Sequence, residues 1–402
     1  MLNYDDLFTE MSKSVKSSVI RELLSLASRP GIISFGGGMP DPDLFPVSEY
    51  KECMDIALLQ HAAISLQYGE TPGYYPLRES LVKLSEEDNI KGVTTDNIII
   101  TTASQQAIDF ISKIFIDKGD TVIVEAPTYL SAIQSFNAFL ANFVTVPMDE
   151  NGAIISVLAS KLEELKAKGI KPKFFYTVPT FQNPAGVCMS LERRKELLQL
   201  AKEYDLLIIE DNPYGDLRYK GDPLPPLKAL DTDDHVVYLR TFSKILAPGI
   251  RLGWIVGPKE IINKINLLKQ ATDLCTPVIT QVATDEYLRK GYLRPHIEKI
   301  KASYSVKCKV MVDAIKKYFP EEVKVNEPEG GMFLWVSAPE KVDTVSIFNE
   351  AIAEGVAYIV GTAFFADGSG TNTMRLNFTM VTPEKIEEGI KRLGNLLKKK
   401  LV

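Results

Sequence analysis

Lys244 is the residue whose surroundings in the sequence most favour covalent chemistry. It follows a strand-like apolar stretch at 236–239, the hydroxyl side chains of Thr241 and Ser243 come just before it, and Arg251 lies seven positions after it. A lysine held at a strand end beside a cofactor can lose its proton, and the free amine can then attack a carbonyl carbon. The pattern predicts an imine between Lys244 and a phosphorylated aldehyde, and we expect this cofactor to be pyridoxal phosphate.

A carboxylate upstream favours this interpretation over an ordinary surface lysine in a turn. The apolar run at 206–209 leads into Glu210 and Asp211. Side chains just past the carboxyl ends of parallel strands converge on one crevice, so we expect Asp211 to meet Lys244. Pyridoxal phosphate accepts the electrons left when an amino acid loses its α-proton, and an aspartate that keeps the ring nitrogen protonated strengthens this effect. Lys244 would then carry the proton as general acid and base.

Other polar residues match the remaining groups of such a cofactor. Asn183 and Tyr214 are expected to donate hydrogen bonds to its phenolic oxygen, although the Asn-Pro-Ala-Gly stretch at 183–186 also suits a plain turn. Ser104 opens a predicted helix, and a helix start favours a phosphate dianion, but a simple N-cap is the alternative. Arg251 and the two hydroxyls before Lys244 would complete the phosphate site.

Four motifs in a fixed order give the chain a family resemblance. They are Asn183-Pro184-Ala185-Gly186, Asp211-Asn212-Pro213-Tyr214, Thr241-Phe242-Ser243-Lys244 and Met374-Arg375-Leu376-Asn377-Phe378. With them, residues 30–380 resemble the fold-type I pyridoxal-phosphate aminotransferases of class I/II. Segments 29–46, 66–69 and 104–107 resemble the branch of 2-aminoadipate, multi-substrate and aromatic aminotransferases. The resemblance implies ping-pong transfer of an amino group from an L-amino acid to a 2-oxo acid, with 2-oxoglutarate expected as acceptor.

The resemblance also implies how the cofactor is bound. Gln105 belongs to the segment that would bind it, and the flat ring of Tyr129 would stack on the pyridine ring. Tyr68 would reach the phosphate of the neighbouring subunit's cofactor. We therefore expect a homodimer whose two active sites share residues.

Substrate recognition is implied by the same resemblance. Arg375 would bind the substrate α-carboxylate, with Asn183 and the Gly38 backbone assisting. Arg21 matches an arginine that contacts acidic side chains in the 2-aminoadipate branch, although an ion pair on a solvated helix face is the usual fate of such a charge. Acidic donors would use Arg21, whereas aromatic or branched donors would use the apolar surroundings of three residues: Phe35, Tyr68 and Leu274.

The order of predicted elements indicates an α/β fold. A large domain would hold a mostly parallel seven-stranded sheet between helices, and a smaller α+β domain would follow. The strands of the large domain are predicted near 97–101, 121–125, 142–146, 173–178, 206–210, 236–240 and 252–257. Those of the smaller domain are predicted near 322–325, 333–336, 356–359 and 374–377. We expect an N-terminal arm at 1–46 that packs with the small domain, a cofactor-binding domain at 47–290 and a small domain at 291–402.

Charge, apolar pattern and residue spacing argue against nucleic acid, membrane and metal as partners of this chain. The chain has 402 residues, a formal charge of −6 and a pI of about 5.4, which argues against nucleic acid as a partner. The start does not resemble a signal peptide and no apolar run suits a membrane span, so a cytoplasmic protein without membrane partners is expected. Neither the three histidines nor the four cysteines show metal-ligand spacing, and no metal is expected.

Two alternatives remain open at this point. The motifs determine the cofactor more firmly than the reaction, so another reaction of pyridoxal phosphate, such as β-elimination, would fit the same fold. A regulatory protein that binds the cofactor is the second alternative. The absence of a basic winged-helix domain before residue 1 favours the enzyme.

Overall fold

The computed structural model describes residues 2–14 and 31–401. Arg21 lies outside these residues, so its expected role stays a prediction. The strands are β1 (Ile33–Ser34), β2 (Ile98–Thr101), β3 (Thr121–Ala126), β4 (Asn142–Asp149), β5 (Gly152–Ala153), β6 (Phe175–Thr177), β7 (Ile208–Asp211), β8 (Val236–Thr241), β9 (Gly253–Val256), β10 (Lys324–Val325), β11 (Phe333–Ser337), β12 (Val356–Ala357), β13 (Ile359–Val360) and β14 (Thr373–Asn377).

The helices surround these strands and alternate with them along the chain. They are α1 (Glu10–Ser14), α2 (Val47–Leu59), α3 (Ala62–Ser65), α4 (Tyr75–Glu87), α5 (Ala103–Phe115), α6 (Leu130–Ala138), α7 (Ile155–Ala167), α8 (Leu191–Tyr204), α9 (Leu227–Leu230), α10 (Lys259–Thr272), α11 (Val278–Arg289), α12 (Leu293–Tyr318), α13 (Phe348–Ala353) and α14 (Pro383–Leu401).

The large sheet has the strand order β2-β9-β8-β7-β6-β3-β4-β5. Strands β4, β3, β6, β7 and β8 run parallel, while β9 is antiparallel to both of its neighbours. The predicted α/β fold with a mostly parallel sheet is confirmed. The predicted number of seven strands was too low, because two residues after a turn, Gly152–Ala153, pair with β4 as an eighth strand. The carboxyl ends of the parallel strands meet at one edge.

Both faces of the sheet are buried, which explains why its strands are apolar almost throughout. Phe175 and Ile208 face a core that includes residues of α7 and α8. Their chain neighbours Tyr176 and Ile209 face the opposite core, which includes residues of α5 and α6. Buried on two sides, the sheet is a rigid base for the loops at its edge.

A second, antiparallel sheet in the C-terminal part has the order β10-β11-β14-β13. The predicted strand at 356–359 is split, because β12 pairs with β1 whereas β13 pairs with β14. Through β1 the segment after Gly31 joins the C-terminal part, while Glu10 lies at an ion pair with Lys118 in the large-sheet part. The expected domain boundaries, between 46 and 47 and between 290 and 291, stay predictions.

Across residues 2–14 and 31–401, none of the helices combines the length and apolar character needed to cross a lipid bilayer.

Candidate active site

A cavity of about 550 Å³ opens at the carboxyl edge of the parallel strands. The chain reaches this edge at the ends of β2, β3, β6, β7 and β8, as expected for an α/β sheet. Most of the predicted site residues line the cavity together: Gly38, Ser104, Gln105, Tyr129, Asn183, Asp211, Tyr214, Thr241, Ser243, Lys244, Arg251 and Arg375.

Lys244 lies in the turn that follows β8, with its side chain partly buried at the cavity. Its Nζ donates a hydrogen bond to the Gly38 carbonyl oxygen at 2.8 Å. Burial, together with the positive charges of Arg375 and Arg251, lowers the pKa of Lys244 to about 8. The amine is therefore close to losing its proton at neutral pH, as nucleophilic and general-base chemistry requires.

Asp211 ends β7 and is almost completely buried. Its Oδ2 accepts a hydrogen bond from the Tyr176 hydroxyl at 2.7 Å, while its buried Oδ1 has no hydrogen-bond partner in the described part of the chain. Burial raises the pKa of Asp211 to about 6, and the bond from Tyr176 opposes this shift. A buried carboxylate oxygen without a donor favours a cationic or N–H-bearing ligand beside it.

Asn183 is hydrogen-bonded to both Tyr214 and Arg375. Its Nδ2 donates to the Tyr214 hydroxyl at 3.1 Å, and its Oδ1 accepts from Nη1 of Arg375 at 2.9 Å. Glu125 and Gln182 lie behind it: Gln182 donates to the Glu125 carboxylate and accepts from the backbone N–H of Ala185. The loop that carries Asn183 is thus fixed by buried hydrogen bonds.

Arg375 is 7% exposed and lies on β14 between two aromatic rings. Its guanidinium carbon is 4.2 Å from the ring centroid of Phe333 and 5.0 Å from that of Phe364. Nη2 donates to the Gly36 carbonyl at 3.0 Å. Among residues 2–14 and 31–401, Nε has no hydrogen-bond partner and no carboxylate pairs with the guanidinium. Burial lowers the pKa of Arg375 to about 10. A buried arginine without an anion is a receptor for a carboxylate.

Another part of the cavity wall is formed by the start of α5. Ala103 has a φ of +60°, and a Cβ atom on Gly253 would lie 2.8 Å from the Ser104 backbone nitrogen. Only a glycine at 253 lets the two backbones approach this closely. The Thr241 hydroxyl lies 2.9 Å from that of Ser243. Hydroxyls and a helix start together form a site suited to an oxyanion.

These groups fit pyridoxal phosphate. The unpartnered Oδ1 of Asp211 suits the protonated ring nitrogen, the donors Asn183 and Tyr214 suit the phenolic oxygen, and Lys244 supplies the amine. The start of α5 suits the phosphate. In the two described stretches, no group of three or more His, Cys, Asp or Glu side chains could hold a metal ion.

The glycine-rich segment contacts both Arg375 and Lys244. The Gly36 carbonyl accepts from Arg375, and the Gly38 carbonyl accepts from Lys244. The expected help of the Gly38 backbone in binding the substrate carboxylate stays a prediction. Phe35 is fully buried and packs against Gly389, so its own ring lies outside the cavity, while the expected use of its apolar surroundings by donor side chains stays a prediction. The ring lies outside because successive residues of an extended segment face opposite sides.

Tyr68 does not line the cavity and is 80% exposed, so its expected contact across subunits stays a prediction. Tyr176 and Gly253 were not predicted as site residues. A tyrosine inside the mostly apolar stretch at 174–178 was the available signal for Tyr176, whereas the sequence held no signal for Gly253.

Known proteins resemble this chain along its whole length. The family model for aminotransferase class I and II matches residues 49–393. An aromatic-amino-acid aminotransferase of Thermococcus litoralis is 48% identical over 100% of this chain and 96% of its own length. The crystal structure of a Pyrococcus horikoshii kynurenine aminotransferase in complex with PMP is 47% identical, with a TM-score of 0.96 and coverage of 100% of this chain and 99% of that one.

A third relative adds a bound cofactor derivative. The crystal structure of a Thermus thermophilus α-aminoadipate aminotransferase, complexed with N-(5'-phosphopyridoxyl)-L-leucine, is 38% identical with a TM-score of 0.90, covering 100% of this chain and 99% of that one. The predicted fold-type I resemblance is confirmed. This chain belongs to the class I and II aminotransferases and is a transaminase that uses pyridoxal phosphate.

Proposed function

We propose that this aminotransferase accepts a broad range of amino donors, aromatic amino acids and 2-aminoadipate among them, and passes the amino group to 2-oxoglutarate. The observation that carries this proposal is Arg375, a buried guanidinium with no carboxylate partner in the described residues. Its guanidinium would bind the α-carboxylate, the one group that all these substrates share. The relatives named above act on aromatic amino acids, kynurenine and α-aminoadipate according to their names, which supports the range.

The chain's own residues would divide the chemistry among them. Bound pyridoxal phosphate would supply an electron sink for the substrate α-carbon. Arg375, held by Asn183 and Gly36, would orient the carboxylate so that the α-hydrogen points towards Lys244. With a pKa of about 8, the amine of Lys244 would accept that proton and return one during the reverse half-reaction. Asp211, fixed by Tyr176, would keep the ring nitrogen protonated.

The walls near Arg375 support apolar donors. Ile359 faces Arg375 across the paired strands β13 and β14, and Phe364 and Met39 line the same cavity. Aliphatic and aromatic walls gain free energy by covering an apolar donor side chain.

Acidic donors need an additional cation. The cations that line the cavity are Lys244, Arg251 and Arg375 among the residues with described positions, and all three have other proposed roles. Arg21 is our candidate for the side-chain carboxylate of 2-aminoadipate. The substitution Arg21→Gln would then lower kcat/KM for 2-aminoadipate and leave that for phenylalanine unchanged.

We propose a homodimer with shared active sites, working in the cytoplasm. Exposed apolar side chains support a dimer interface because several of them lie close together in sequence around the turn after α3: Leu59, Ile64, Leu66, Tyr68 and Tyr75. Such clustering marks a surface that another chain covers. Tyr68 in this group would reach the phosphate in the partner's cavity.

The proposed function is tested by a half-reaction followed by a donor panel. Mixing the loaded enzyme with a single amino donor and no acceptor should give stoichiometric pyridoxamine phosphate and 2-oxo acid. Formation of ammonia and pyruvate from a β-substituted donor, without the aminated cofactor, would favour β-elimination instead. Aromatic, branched and acidic donors, each assayed with 2-oxoglutarate, then define the range. Turnover confined to one donor would contradict the broad range.

A further inference from the structure

Lys269, near the end of α10, is a charged side chain with no exposed surface. Its Nζ lies 2.8 and 2.9 Å from the two carboxylate oxygens of Asp273, 3.0 Å from the Thr276 hydroxyl and 3.2 Å from Oε1 of Gln106. Burial lowers the pKa of Lys269, although Asp273 opposes the shift. Burying a lysine ammonium is costly even when its carboxylate partner, here the exposed Asp273, keeps access to solvent, and this points to a purpose beyond holding the fold together.

Gln106 connects the lysine cluster, formed by Lys269, Asp273 and Thr276, to the turn beside the cavity. Its Oε1, which accepts from Lys269, also accepts from the Thr102 backbone N–H at 2.8 Å, and its Nε2 donates to Asp273 at 2.7 Å. Thr102 precedes Ala103, whose φ of +60° turns the chain sharply into α5. A non-glycine residue in this conformation is strained and needs fixed surroundings.

The turn from Thr101 to Ser104 is therefore held from several sides. The Thr101 hydroxyl donates to the Ala103 carbonyl at 3.0 Å, and the Gly253 backbone lies directly against Ala103 and Ser104. The lysine cluster supplies the remaining support through Thr102. Ser104 and Gln105, which follow the turn, line the cavity.

We propose that Lys269 is a positioning residue for the phosphate of the cofactor. Lys269 and Asp273 fix the carboxamide of Gln106, Gln106 fixes the N–H of Thr102, and the turn then presents the start of α5 to the phosphate in one orientation. The inference rests on the proposed role of Ser104 and Gln105 in binding that phosphate. A preorganised site binds more tightly because its groups lose less freedom on binding.

A second series of contacts connects the lysine cluster to the segment around Gly69 and Tyr74. Gln281 donates through Nε2 to the Thr276 carbonyl at 2.7 Å and accepts through Oε1 from the Tyr74 N–H at 2.8 Å. The neighbouring Val278 is in close contact with Gly69, the residue after Tyr68. The cluster thus also supports the segment that carries the tyrosine proposed to reach the partner's phosphate.

The test compares two ligands that differ only by the phosphate. Apoprotein is titrated with pyridoxal phosphate and with pyridoxal, and adduct formation is followed by absorbance. Lys269→Met should weaken pyridoxal phosphate binding about tenfold and change the pyridoxal dissociation constant less than about twofold. The matched control is Lys309→Met, which removes the lysine of an exposed pair with Asp313 at the same helical spacing. It should change neither constant.

A second variant covers the case in which Lys269→Met does not fold. Gln106→Leu keeps the ion pair and removes the link to Thr102, so it should produce the same selective loss. The inference would be overturned if both variants weakened the binding of pyridoxal phosphate and of pyridoxal equally, or weakened neither. The proposed aminotransferase function would not be affected by that result. Failure of the wild-type apoprotein to bind pyridoxal phosphate would instead overturn the proposed function itself.

Discussion

Two arginines line the cavity, one at the proposed carboxylate end and one at the proposed phosphate end, and the two side chains are held very differently. Arg375 is buried on a strand between two rings and is fixed by hydrogen bonds to Asn183 and Gly36. Arg251 is exposed and has a left-handed φ of +51°. Its Nη1 donates a long hydrogen bond, of 3.4 Å, to the Pro248 carbonyl. Substrates bind and leave in every turnover, whereas the cofactor stays. On the proposed roles, the arginine for the substrate is held in place before binding, whereas at the proposed phosphate site the backbone groups are fixed and the arginine is exposed.

The largest effect is expected at the carboxylate end. Arg375→Gln removes the charge and the forked pair of donors while keeping a shorter polar side chain. We expect kcat/KM for every amino donor to fall about a thousandfold, since a desolvated arginine–carboxylate contact is lost. Steady-state kinetics with saturating cofactor measure it. A loss below about tenfold for all donors would mean that another group binds the α-carboxylate.

Arg251→Gln makes the same exchange at the phosphate end and serves as the matched comparison. The dissociation constant for pyridoxal phosphate should rise about tenfold, because one exposed, charge-assisted contact is removed. At saturating cofactor, kcat/KM should stay within about threefold of the wild type. Equal kinetic losses from the two substitutions would erase the contrast between the ends.

Lys244 lines the same cavity as the two arginines, and both lower its pKa. The amine is mostly protonated below pH 8 and mostly free above it, because the pKa in the folded protein is about 8 rather than the 10.5 of a free side chain. The rate at which apoprotein forms its adduct with pyridoxal phosphate should rise as the pH increases through about 8 and then level off. In Arg375→Gln this midpoint should move to higher pH. Stopped-flow absorbance across pH 6 to about 10 measures both rates.

A smaller effect is expected on stability. 2-Oxoglutarate added to the aminated enzyme should raise the unfolding temperature of the wild type, because a ligand that binds only the folded state stabilises it. The shift should be about 1 to 3 °C at near-saturating ligand and should vanish in Arg375→Gln but persist in Arg251→Gln. Differential scanning fluorimetry records it. An equal shift in all three proteins would place the carboxylate site elsewhere.

The sequence was informative where a function is carried by one residue at a strand end. Asp211 and Lys244 follow apolar runs whose parallel pairing could be predicted, so their meeting at one cavity followed from the fold class. Residues that act across the fold were not predictable in this way. Tyr176 reaches Asp211 from a neighbouring strand, and Lys269 reaches Thr102 through Gln106 over a separation of 163 positions between the lysine and the glutamine.

Local geometry accounts for the other differences. The eighth strand, Gly152–Ala153, is too short to show a periodic pattern. The split between β12 and β13 depends on which strand each half meets, and the sequence at 356–360 is apolar throughout except for the hydroxyl of Tyr358. Phe35 belongs to a glycine-rich segment that contributes to the cavity, but its own side chain is turned into the core.

Borohydride reduction of the loaded enzyme shows which lysine forms the imine with the cofactor. Reduction should fix the cofactor to the chain as a stable secondary amine, and peptide mass spectrometry should find it on Lys244 in the wild type and on no residue in Lys244→Ala. The same variant should lose turnover. Label on a different lysine, or full activity in Lys244→Ala, would contradict the account.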